Sequence, residues 1–115
     1  MSRTEQWEEA WQAAKKVAGR LAVDDITPES IDVSMVGGVT VRTAWADFLW
    51  AANGIFEDAG LSVTERVTTE RRWRAITGRV DGVRTSIWAS MNLPTRVERI
   101  ERVTPLSALT DGAVQ

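Results

Sequence analysis

A chain of 115 residues with 43% hydrophobic and 26% charged side chains has the make-up of one folded domain, and its apolar runs are too short for a membrane helix. Cysteine, histidine and tyrosine are absent, which excludes disulfides, thiolate nucleophiles, cysteine-ligated metal and imidazole acid–base chemistry. The net charge of −2 is uneven, with five basic and ten acidic side chains over residues 1–60 and nine and six over 61–115, a polarity that suits an oriented partner or head-to-tail self-association.

Residues 4–23, TEQWEEAWQAAKKVAGRLAV, predict a helix. Trp7, Ala10, Trp11, Ala14, Val17, Ala18 and Leu21 recur at the spacing of one helical face. Ser2 followed by Glu5 has the form of a capping box, and Asp24-Asp25 with Thr27-Pro28 ends the helix. Trp7 and Trp11 are expected in the core. The start, MSRTEQWEEAWQ, is polar rather than apolar like a secretory signal, so a cytoplasmic location is expected.

Residues 30–43 predict a hairpin around Val36-Gly37-Gly38, with Gly38 left-handed at a bulge, Met35 opposite Val39 and Val33 opposite Val41. This register gathers Ile31, Val33, Met35, Val39 and Val41 on one face and Asp32, Ser34, Thr40 and Arg42 on the other. The glycines do not match a phosphate-binding loop, since no Lys-Ser or Lys-Thr follows. Residues 44–60 predict a second helix burying Trp45, Phe48, Leu49, Ala52, Phe56 and Ala59, with Asn53-Gly54 a weak point that allows a kink or an early stop. Trp50 lies off this stripe and is expected to widen it, with exposure toward a partner as the alternative.

Residues 61–70 predict a strand alternating Val63, Glu65 and Val67 against Thr64, Arg66 and Thr68. The strongest local signal follows in RRWRAITGRVDGVRTSIWAS, where Asp81-Gly82 between two valines predicts a two-residue type I′ turn. Such a turn pairs Val80 with Val83 and Ile76 with Ile87, on a core face that also carries Arg74, Gly78, Thr85, Ala89 and Met91. The other face carries Arg71, Trp73, Ala75, Thr77 and Arg79 against Arg84, Ser86, Trp88 and Ser90, with Trp73 and Trp88 diagonal neighbours. After Pro94, Val97, Ile100 and Val103 recur every third residue, a spacing that fits helix and strand equally badly.

These elements predict an α+β fold, an antiparallel sheet of four or five strands with two helices on one face, in the order α-β-β-α-β-β with a further strand optional. Residues 1–93 form the expected domain and 94–115 an extension or loose tail. The segments WEEAWQAAKKVAGRL, IDVSMVGGVTVR and TGRVDGVRTSIWA resemble short uncharacterised proteins of actinobacteria and their phages, over about residues 5–91. That resemblance implies an accessory or mobile-element protein that acts by binding a host or phage partner. It carries over no catalytic residues.

With two lysines and no histidine, an enzyme would rest on carboxylates, hydroxyls and arginines, and we expect none. Glu65 and Glu70 qualify as paired acids by position only. Asp24-Asp25 and Glu57-Asp58 are adjacent acids that point about 100° apart on a helix, so neither metal nor cofactor is expected. The residues left without a folding role are Arg71, Trp73, Arg79, Arg84 and Trp88. Their composition is that of a protein-binding hot spot, and they are the expected partner-binding residues of an interaction module that also self-associates. A single-stranded nucleic acid is the alternative ligand for the same face, disfavoured by the acidic net charge. An oligomeric phage connector or tail-end component is a further alternative.

Overall fold

Ser2 Oγ accepts a hydrogen bond from the Glu5 amide at 3.1 Å while the Glu5 carboxylate accepts from the Ser2 amide, so the expected capping box starts helix α1 (Arg3–Val23). The structure, a computed structural model, describes residues 2–34, 38–68, 70–93 and 100–109. The end of α1 is a Schellman motif with aspartate where glycine is usual. Asp25 has φ 57°, its amide bonds to Ala22 O at 3.1 Å, and the Ile26 amide bonds to Leu21 O at 2.9 Å. Ile26 is thereby turned into the core.

The remaining elements are β1 (Ser30–Val33), β2 (Val39–Arg42), a 3-10 turn (Trp45–Asp47) leading into α2 (Phe48–Ile55), then β3 (Ser62–Thr68), β4 (Arg71–Val80), β5 (Val83–Asn92) and β6 (Ile100–Pro105). All six strands join one sheet in the order β1-β2-β5-β4-β3-β6. The fold is α+β, as expected. The sheet is larger than the expected four or five strands, and it is mixed, because β2 runs parallel to β5. A parallel neighbour needs a long connection, and here α2, β3 and β4 all intervene between the two strands.

Both helices pack on one face of the sheet. Val17, Leu21 and Ile26 meet Phe48, Leu49, Ala51, Ala52 and Ile55 over Val39, Val41, Val63, Ile76, Val80, Ile87 and Ala89. The first hairpin keeps its expected faces in a different register, with Val33 opposite Val39 and Ile31 opposite Val41. A shift of two residues leaves side-chain parity unchanged, so the same valines still point inward. Met35, Val36 and Gly37 lie outside the described residues.

Three expectations about the helices are corrected. The core stripe of α1 is Ala10, Ala14, Val17 and Leu21, whereas Trp7 and Trp11 are 52% and 57% exposed. Every residue from Ser2 to Glu9 is exposed, so among the described residues the first turns run past the body and find nothing to pack against. The second helix ends at Ile55, just after Asn53-Gly54, and Phe56 is extended. Trp50 does not widen the buried stripe: it is 59% exposed, and its indole N–H donates to Asp24 O at 3.1 Å, tying α2 to the end of α1.

Residues 100–105, placed in the expected tail, form an edge strand that pairs with β3 from Val67–Ile100 to Ser62–Pro105. Leu106 and Leu109 then pack against the core. Residues 94–99 and 110–115 lie outside the described residues. Among the described residues, no helix is long and apolar enough to cross a membrane.

Candidate interaction surface

The surface is built outward from the β4–β5 turn. Asp81 and Gly82 have φ 49° and 80°, the two positive values a type I′ turn requires, and the pairing runs from Val80–Val83 to Arg71–Asn92 as expected. Glu57 and Asp58, weighed above as a metal pair, serve this hairpin instead. Glu57 Oε1 accepts from the Gly82 amide and Asp58 Oδ2 from the Arg79 amide, both at 2.6 Å, while the Glu57 amide donates to Arg79 O. β3 accompanies β4 only as far as Ala75, so this loop closes the stretch of β4 edge that β3 leaves open.

Strict alternation then sorts the side chains. Arg71, Trp73, Ala75, Thr77 and Arg79 of β4 face away from the helices beside Arg84, Ser86, Trp88 and Ser90 of β5. Trp73 and Trp88 are stacked, with ring centroids 5.6 Å apart and planes 28° from parallel. The Arg71 guanidinium sits 5.1 Å from the Trp73 ring and that of Arg42 sits 5.0 Å from the Trp88 ring. Four planar groups are therefore in successive contact, Arg42 of β2, Trp88 of β5, and Trp73 and Arg71 of β4. Arg71 is further held by Ser90 Oγ, which accepts from its Nη2 at 3.0 Å.

Of the five expected residues, the structure brings Arg71, Trp73 and Trp88 together. Arg79 and Arg84 face each other at the turn end, beyond the hydrogen-bonded Thr77–Ser86 pair and about 13 Å from the Trp88 position by strand rise. The sequence reading missed Arg42, which reaches Trp88 only because β2 pairs in parallel with β5 at Arg42–Trp88. It also missed Arg66, which lies opposite Trp73 on β3 and pairs with Glu101 at 3.0 Å. Thr64, Arg66, Trp73, Ala75 and Trp88 line a depression of about 260 Å³. Among the described residues, the outward positions of β3, β4 and β5 hold four arginines and no acid.

No family model, curated protein or solved structure matches this chain. The surface must therefore be read from its own chemistry.

Beneath it, on the helix side, Glu65 is 2% exposed and gathers three arginines. Its Oε2 accepts from Arg72 Nη2 at 2.8 Å and Arg74 Nε at 3.1 Å, and its Oε1 accepts from Arg102 Nε at 3.1 Å. Arg72 and Arg74 also lie over the Trp45 ring, at 5.3 and 4.7 Å. Burial pushes the Glu65 carboxyl upward, but hydrogen bonds from Arg72 and Arg74 and their charges outweigh it and hold the group below its ordinary value. The cluster ties β3 to β4 and β6 and so fixes Thr64 and Arg66 beside the tryptophans. No tryptophan in this chain is buried, and three of the six lie more than half exposed.

Proposed function

We propose that this protein is a non-catalytic interaction module that binds another protein through the outer face of its sheet, with Arg71, Trp73 and Trp88 at the centre and Arg79 and Arg84 toward one end. The observation that carries this reading is the Arg42–Trp88–Trp73–Arg71 stack on a sheet face that no helix of the chain covers among the described residues. Tryptophan and arginine dominate interface hot spots because each contributes large planar area at small entropic cost. Here the planes are already ordered by one another, so little rotamer freedom remains to be lost on binding. What the resemblance to short actinobacterial and phage proteins implies is part of the same proposal: an accessory or mobile-element protein of the cytoplasm, that of the host if it is phage-encoded.

A single-stranded nucleic acid is the competing occupant, favoured by four outward arginines without an acid among them. Against it, each ring already has a ring neighbour and a guanidinium neighbour, so bases would have to displace side chains that are in contact.

The test is a photo-cross-linking amino acid at Thr77, an exposed outward position diagonal to Trp88. Irradiation in cells is expected to give protein adducts that disappear in Trp73→Ala. Adducts to nucleic acid alone, or protein adducts of equal yield in Trp73→Ala, would overturn the reading.

A further inference from the structure

We infer that the partner of the Trp73–Trp88 face is the N-terminal half of α1 presented by a second copy of the chain, so that copies join head to tail. This rests on the reading of the sheet face as a protein-binding surface and adds the identity of the occupant.

Residues 3–9 of α1 are all exposed, and Trp7 and Trp11 lie one helical turn apart on this end of the helix, 52% and 57% exposed. The same segment holds Glu5, Glu8 and Glu9 against Arg3 alone. Glu5 is occupied by the cap and Glu8 accepts from Gln12 Nε2, and no cation pairs with Glu8 or Glu9 among the described residues. The segment is therefore an acidic helix edge with two indoles. The outer sheet is its chemical complement: two indoles with Arg71, Arg79 and Arg84, and no acid at the described outward positions of β3, β4 and β5, where Arg66 is already paired with Glu101.

One chain cannot satisfy both surfaces by itself. α1 packs on the helix side of the sheet, against β1, β2, β4 and β5, and the tryptophan stack lies on the opposite side. Between copies the contact joins unlike surfaces, so it leaves one free helix end and one free sheet face and propagates into a ring or a chain. Its polarity has the same sense as the charge division of the sequence, in which residues 1–60 are net acidic and 61–115 net basic.

Two variants each remove one half of the contact. Trp7→Ala/Trp11→Ala alters exposed helical positions only, and Trp73→Ala alters the sheet, with Arg71→Glu as a second sheet variant if Trp73→Ala disturbs the fold by circular dichroism. Sedimentation velocity from about 10 μM to about 1 mM is expected to show wild-type mass rising above one chain. Each variant alone should associate about 30-fold more weakly, the size of a hot-spot truncation. Mixed together, they should form a complex of one chain of each and nothing larger, because each retains the surface that the other lacks. High salt should weaken this complex.

A wild type that stays a single chain, a variant that self-associates like the wild type, or a mixture without a complex would each overturn the inference. If the wild type stays single while the Thr77 cross-link still captures a different protein, the sheet reading stands and only the self-partner falls. If no protein adduct forms either, both fall.

Discussion

Arg74 and Glu65 are direct partners across β4 and β3, and Arg74 Nε donates to Glu65 Oε2 at 3.1 Å within the core side of the sheet. Among the described residues this carboxylate is the only acid paired with these three guanidinium groups, two of them largely shielded from water. Glu65→Ala leaves those charges facing one another without a counter-ion. Breaking a buried ion pair from one side costs about 3–5 kcal/mol, reduced here to about 2–4 because Arg102 and part of Arg72 remain solvated. Urea denaturation is expected to show a loss of that size with an unchanged slope. A midpoint equal to wild type would mean that the cluster contributes nothing net.

The same group sets a pH dependence. Its folded value lies below the ordinary one of about 4.5, so the unfolded chain binds the proton more readily than the folded chain does. Its stabilisation is complete above about pH 4.5 and is lost as the pH falls through the lower, folded value. Glu65→Gln cannot titrate. The gap in urea midpoint between wild type and Glu65→Gln should therefore be widest near neutrality and narrow in acid. A gap that stays constant to low pH would show that the carboxylate's charge is not what the arginines hold.

Much of this arrangement is legible in the sequence wherever a local device decides it. Asp81-Gly82 sets a two-residue turn, and the turn with side-chain alternation places Trp73 beside Trp88 on the outward face. Ser2 and Glu5 likewise announce the start of α1. Long-range choices have no such device. Nothing local says that β2 will lie parallel to β5, so Arg42 could not be assigned to Trp88. Helical periodicity gives the angle at which Trp7 and Trp11 point but not how far along the axis the body extends. β6 is an edge strand with five of its six residues exposed, so it needs no apolar alternation and shows none. For Glu65 a signal existed: an acid on the inward side of β3 opposite Arg74, which the turn register had already turned inward.

Gly78 is held to glycine by its neighbours. A methyl group there would lie 2.6 Å from Phe56 Cδ1 and 2.7 Å from Leu61 Cδ1, with Asp58 Oδ2 at 3.0 Å. Replacing a strand glycine with alanine returns about 0.5–1 kcal/mol of backbone entropy, whereas overpacking costs about 1–3 kcal/mol. Gly78→Ala is thus expected to be destabilising overall, and Phe56→Leu in the same chain to recover part of the loss. A thermal midpoint at or above wild type for Gly78→Ala alone would show that Phe56 and Leu61 yield freely.

The Trp73–Trp88 stack makes a prediction independent of any partner. Both rings are only partly buried, so truncating either to alanine removes less apolar contact than a core substitution does. The larger quantity is the coupling, because stacked aromatic pairs contribute about 0.5–1.5 kcal/mol beyond the area they bury. Trp73→Ala, Trp88→Ala and the double variant form a thermodynamic cycle in which the double variant should lose less than the two single losses combined, by that amount. Arg42→Ala should weaken the coupling as well, since it removes the guanidinium over Trp88 that helps to hold the ring in place. Exciton-coupled circular dichroism from the two indoles offers a second readout and should vanish in either single variant. Additive losses with an unchanged dichroic signal would mean that the rings are neighbours without being partners, and the ordered stack would then no longer support the reading of this face as an interface.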